Sequence, residues 1–212
     1  VTISTDRPRF VQLVVSCVVL GTGVALLLRA ALGSDGFSTL VNGISLASGV
    51  SFFLVNFAVG VVFVAIAWSR RLRPGWGTIV QPVVVGGTIN LLLDLIPAPD
   101  ALPTRLVLLV AAFPVLILGV SGYLGSGAGA GPTEAAALAF DPPVPFRWSY
   151  SVLQGGGALV GWAFGAAIGV GTLLVIFLLG PAVDLVSARV RFLNIHASGT
   201  DEARAEVACP LP

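Results

Sequence analysis

Apolar residues do not alternate with polar ones along this chain. They run together in blocks, most of them close to the length of a membrane crossing. A spanning helix needs about 20 mostly apolar residues, and six blocks read as spans: Phe10–Ala31, Phe52–Trp68, Thr78–Ile96, Thr104–Leu124, Trp148–Ala166 and Gly171–Ser187. Two further segments, Gly36–Ala47 and Pro132–Phe140, are helical in pattern but too short to span, and each follows a Gly-rich stretch. Segments of this kind either lie along the interface or re-enter the protein interior. The pattern therefore predicts an all-α, polytopic membrane protein.

Composition sharpens this. Of 212 residues, 56% are hydrophobic and 10% charged, against about 25% charged in soluble domains. A soluble core of this length could not hide so much apolar surface, whereas a bilayer removes the need to hide it. The abundance of Gly suits close helix packing in lipid. Two cysteines, Cys17 in an apolar run and Cys209 near the C-terminus, are expected at different depths and predict no disulfide framework. One histidine, His196, lies in a polar tail, so neither a metal site nor a cofactor is expected.

Charge placement then gives orientation. Every basic residue is Arg. With the N-terminus in the cytoplasm, Arg7, Arg9, Arg70, Arg71, Arg73, Arg147, Arg189 and Arg191 all fall inside, and only Arg29 and Arg105 fall outside. The positive-inside rule thus predicts cytoplasmic N- and C-termini and an even number of spans in a bacterial inner membrane. The first span also has the look of a signal peptide, but it matches a later span in the same chain, which argues against cleavage.

That match belongs to an internal repeat. Leu20-Gly21-Thr22-Gly23 aligns with Leu118-Gly119-Val120-Ser121, and the register continues through Leu26/Leu124, Gly33/Gly131 and Leu40/Leu138. A second register pairs Phe52 with Phe146, Trp68 with Trp162, Gly77-Thr78 with Gly171-Thr172, and Asn90 with Asp184. Each half has three spans, an odd number, so the second must enter from the opposite face. The expected organisation is a cytoplasmic N-terminus (1–9), repeat one (10–98), an inverted repeat two (104–188), and a disordered cytoplasmic tail (189–212).

Several of these residues resemble a known family. The first span with Gly21 and Gly23, the Leu32-Gly33 break, the Gly49-Val50-Ser51-Phe52 entry and the Gly-x-Gly-Thr start of the third span resemble YczE/YitT-type bacterial membrane proteins, over about residues 10–188. In that family the break reads Leu-Gly, a small residue, Pro, then an aromatic or acidic residue. Gly33-Ser34-Asp35-Gly36-Phe37 lacks the Pro, while Gly131-Pro132-Thr133-Glu134 is nearer the pattern. The resemblance implies a multi-span inner-membrane protein and no particular substrate.

Ionisable groups inside a membrane are expensive and each asks for a reason. Asp35 and Glu134 sit at the starts of the two short helices. One reading is N-capping, by Ser34 or Asp35 in the first half and Thr133 or Glu134 in the second; the other is that broken helices meet near the midplane and frame a site. Arg29 either snorkels to the headgroups or binds an anion, with Asp35 a candidate partner. Asn90 is expected to bond a neighbouring helix, with Asp94 one turn on, and Asp184 to pair at the interface near Arg189. Gly77, Thr78, Gly171 and Thr172 open the third and sixth spans and suit close packing or capping. Gln81-Pro82 and Gln154 with Gly155-Gly156-Gly157 interrupt spans and are hinge or cavity candidates.

No base accompanies a membrane-embedded nucleophile, and there is no phosphate-cradling Gly-Lys motif or nucleic-acid-sized basic patch, so neither an enzyme nor a nucleic-acid binder is expected. Two readings remain. One is a small secondary transporter or permease for an unidentified solute, coupled through Asp35, Glu134 or Asp184. The other is a non-transporting scaffold for another membrane system. Lipid is the expected partner of either, and a homodimer is an open alternative. A polar cavity near mid-membrane would favour the first, closed packing there the second.

Overall fold

The computed structural model describes residues 7–70, 76–126, 131–140, 143–144, 146–179, 182–183 and 185–186. Asp184, Arg189 and the 189–212 tail, all named above, lie outside the described residues. The described residues form helices joined by short turns and connections, with no strand among them. In order they are α1 (Arg7–Ala30), α2 (Gly36–Ser48), α3 (Phe52–Ser69), α4 (Trp76–Leu95), α5 (Leu102–Gly125), α6 (Pro132–Leu138), α7 (Phe146–Ala163) and α8 (Val170–Leu174), which runs on into a wide π turn at Val175–Leu179.

Four helices are long and apolar enough to cross a membrane: Arg9–Ala30, Phe52–Ser69, Gly77–Leu95 and Leu102–Tyr123. The other two expected spans differ. α7 reaches 18 residues but is amphipathic, with Ser149, Tyr150, Ser151 and Gln154 among its apolar residues. In the segment expected as the sixth span, the described residues form a continuous apolar helix over Val170–Leu179. Its hydrogen bonding changes from α to π midway, a device found mostly as single turns and often at functional sites.

α1 is the axis of the bundle. It lies antiparallel to α5, with Gly23 against Leu116 and Gly119 against Leu20, and Gln12 Nε2 donates to Gly122 O at 3.1 Å. It lies parallel to α4, where Gly21 meets Thr88 and Val85. Leu20, Val24, Leu27, Ile89, Leu109 and Leu116 form the buried apolar core of this trio. α3 returns antiparallel on α4, joined by a hydrogen bond from Asn56 Nδ2 to Pro82 O at 2.7 Å. Since α3 is apolar all round apart from Asn56, this amide bond contributes directionality that apolar contact in lipid cannot supply. Bonds of this kind contribute about 0.6 and up to 1.7 kcal/mol. Asn56→Leu is expected to lower stability by about 1 kcal/mol, read as a fall in the midpoint of thermal unfolding in detergent.

The short helices cross between the halves. α2 packs on α7, and α6 packs on α3. The α2–α7 crossing is made by glycine: the space a Cβ would need at Gly161 is taken by Thr39 O, at Gly43 by Gly161, and at Gly157 by Gly36 O 2.7 Å away. Gly157 and Gly161 form a Gly-x-x-x-Gly face of the kind that lets helix backbones touch. Gly155 and Gly156, by contrast, have nothing within 4 Å of a built Cβ. Gly156→Ala is therefore expected to be neutral or to stabilise by up to about 1 kcal/mol, since helical Gly costs that much against Ala, a small upward shift in the same melt.

The Leu32-Gly33 break is genuine. Gly33 has φ +104° and Ala31 φ +52°, so the chain leaves α1 through left-handed backbone that favours Gly. The break docks onto the start of α8: Gly171 N donates to Leu32 O at 2.8 Å, and Thr172 lies against Gly33. At the other end of the bundle the Arg70 guanidinium lies 4.7 Å from the centre of the Phe140 ring. That contact ties the end of α3 to the connection leading into α7.

Candidate functional site

The interruptions predicted from sequence converge on one cavity of about 660 Å³ between the helices. Its apolar wall is Leu20, Val24 and Leu27 of α1, Leu116 and Val120 of α5, and Val85 and Ile89 of α4. Its polar groups are Asp35, Ser38, Asn56, Gln81, Tyr123, Thr133, Glu134, Tyr150, Ser151 and Gln154. The two carboxylates, from opposite halves of the chain, thus face a common space.

Asp35 has both roles considered for it. It is the N-cap of α2, accepting from Ser38 N at 3.0 Å, and it also lines the cavity. The cap turn is tightened by Ser34 Oγ and Thr39 Oγ1, 3.0 Å apart and buried. Glu134 corrects the capping expectation. The N-cap of α6 is Gly131, with no side-chain cap bond, and Pro132 takes the first turn. Pro suits that position because its missing N–H has no helical partner there. Thr133 and Glu134 are thereby pushed inside the helix. Glu134 folds back over Gly131, where Gln81 Oε1 also lies.

Gln154 links the two halves across the site. Its Oε1 accepts from Phe37 N at 3.1 Å, and its Nε2 donates to the Tyr150 hydroxyl at 2.8 Å. A side-chain amide of α7 therefore supplies the first turn of α2 with an acceptor, one of those an unaccompanied helix start lacks. The Tyr123 ring is 2% exposed. Its hydroxyl, buried on the cavity wall, has no hydrogen-bond partner among the described residues.

The wall has an internal correspondence. In the register that pairs Phe52 with Phe146, Gln81, Pro82, Val85 and Ile89 of α4 match Val175, Ile176, Leu179 and Val183, and all eight line the cavity. Asn56 and Tyr150 match in the same register and both line it. The Pro82 interruption of α4 and the π turn of the second half fall at the same place in the two copies.

Other expected residues lie elsewhere. Arg29 does not line the cavity; its Nε is buried without a hydrogen-bond partner, and no ion pair to Asp35 forms among the described residues. Asn90 also faces away, and its amide donates to Asp94 Oδ2 along its own helix at 3.4 Å rather than to a neighbour. Gly33, Gly171 and Thr172 pack the α1–α8 junction. Thr172 is not a cap, because Gly169 holds that position without a side-chain bond. Gly77 and Thr78 are buried at the start of α4. Sequence reasoning misses Asn56, Tyr123 and Tyr150, whereas Gln154, a hinge or cavity candidate from its place in the span, lines the cavity.

An all-helical bundle with four membrane-length apolar helices and an internal cavity edged by two carboxylates defines a helical membrane protein. The chain belongs to a family of unknown function, DUF6198, whose family model matches residues 8–188. An uncharacterized protein of Haemophilus influenzae is 27% identical over 187 residues, covering 84% of this chain and 80% of the relative. No solved structure matches.

Proposed function

We propose that the protein is a small secondary transporter, or permease, for a small solute of the bacterial inner membrane. In this reading it is built from two inverted three-span repeats of YczE/YitT type with cytoplasmic termini. The observation that carries the reading is the cavity, with Asp35 and Glu134 on its wall and matched positions of α4 and the Val175–Val183 segment both lining it. Secondary transporters place their sites between such repeats, at interrupted helices. Support for the inversion comes from the exchange of short helices, α2 onto α7 and α6 onto α3, around the α1–α5 pair. The Arg70–Phe140 contact supports placement of the α3 end and the connection into α7 on one and the same face. A bundle serving only as a scaffold would have closed packing where the cavity lies.

The test is flux. Purified protein in sealed liposomes, with an imposed proton gradient and a panel of radiolabelled amines, amino acids, sugars and organic acids, should accumulate at least one solute above protein-free liposomes. Collapse of the gradient should abolish that accumulation. Equal, leak-level counts for the whole panel would favour the scaffold reading.

A further inference from the structure

Resting on the transporter reading, we propose that the cavity selects an organic cation: an ammonium-type charge on an apolar body. Three features of the wall lead there. It carries two carboxylates, Asp35 and Glu134, and no Arg among the described residues that line it, in a chain whose basic residues are all Arg. Carboxylates at membrane depth are retained where they find a partner charge; the described residues of the wall hold none, and a cationic occupant would supply it. The buried Tyr123 hydroxyl on the same wall has no partner among the described residues. The aromatic side chains of Phe37, Tyr123 and Tyr150 on the wall favour a cation over an anion.

The remaining wall excludes the simpler occupant. A bare metal ion wants several oxygen ligands at short range, whereas a cavity of about 660 Å³ with a mostly apolar wall has the size of a small-molecule pocket. Leu20, Val24, Leu116 and Val120 give the apolar body a place opposite the charge.

The test compares two ions alike in size and apolarity and opposite in sign. Radiolabelled tetraphenylphosphonium and tetraphenylborate are titrated against the purified full chain in detergent, with protein-free micelles as background. The expected result is saturable tetraphenylphosphonium binding at least about tenfold tighter than tetraphenylborate binding, weakened about tenfold or more by Glu134→Gln and by Asp35→Asn, as removal of a buried partner charge predicts. Equal binding of the two ions, no saturable binding of the cation, or unchanged cation binding in variants that stay monodisperse would each overturn the proposal. Variants that fail to fold leave the decision to the two-ion comparison on the native chain. Binding in detergent is independent of flux. Cation binding without transport would sink the transporter reading alone, and transport of a sugar or an anion with no cation binding would sink this proposal alone.

Discussion

In liposomes, the Asp35→Asn, Glu134→Gln double variant is expected to lose solute uptake to the level of protein-free vesicles while remaining folded. Both substitutions remove charge and keep shape. Asn caps a helix about as well as Asp, so the bond from Ser38 N to position 35 survives and α2 keeps its start. The amide introduced by Glu134→Gln fills the same space over Gly131. The loss is therefore in what the carboxylates do for the solute. A hydrogen bond to a charged group contributes about 1.5–3 kcal/mol, which is about 10- to 100-fold for each single variant, with the pair falling below detection. Asn90→Ala, which alters a residue away from the cavity, should leave uptake near the native rate. Full uptake by the double variant would show that the carboxylates neither bind nor couple.

Gly161→Val should cause a larger loss of folded protein than Asn56→Leu. Thr39 O occupies the space of its Cβ, and the Leu40 amide is 2.8 Å from it. Both neighbours are backbone of α2, so no rotamer change relieves the clash and the two helices must part. Overpacking of cores costs about 1–3 kcal/mol, occasionally more, and a backbone-on-backbone clash belongs at the upper end, about 3 kcal/mol. Separation of α2 from α7 also breaks the Gln154–Phe37 bond and opens the cavity wall. The measurement is the yield of monodisperse protein and its melt in detergent, with Gly156→Ala as the control on the same helix. A Gly161→Val protein as stable as the native chain would contradict the glycine-mediated crossing.

The parts of this architecture legible in the sequence are those set by backbone and hydropathy. The Leu32-Gly33 break shows because a Gly at the end of a long apolar run suits both left-handed backbone and close packing, and Gly33 has both. The short helices show because their polar starts interrupt apolar runs. The repeat sets Asp35 and Glu134 at nearly corresponding breaks, which leaves capping and a shared site as alternatives in the sequence; both line the cavity. What stays hidden depends on which way a helix faces. α3 is apolar all round, so its pattern cannot say whether Asn56 meets lipid, a neighbour or a cavity. Yet Asn56 is the one polar side chain of the Phe52–Trp68 run, and its match to Tyr150 in the Phe52–Phe146 register is a usable signal. Asn90 is as promising by the same logic and bonds its own helix instead. Apolar length alone predicts six spans. α7 carries polar wall residues on one face, so its 18 residues are less apolar than the four helices that are long and apolar enough to cross a membrane among the described residues.

Inversion of the two halves about the cavity is the premise on which solute passage rests, and sidedness tests it most directly. In a background with Cys17 and Cys209 replaced by Ser, single cysteines at positions 70, 147 and 49 would be labelled in oriented membrane vesicles with a membrane-impermeant maleimide. Inverted repeats require 70 and 147 to react from the cytoplasmic face and 49 only from the opposite face. Reaction of 70 and 147 from opposite faces would contradict the inversion, and with it the placement of Asp35 and Glu134 at a shared crossing point.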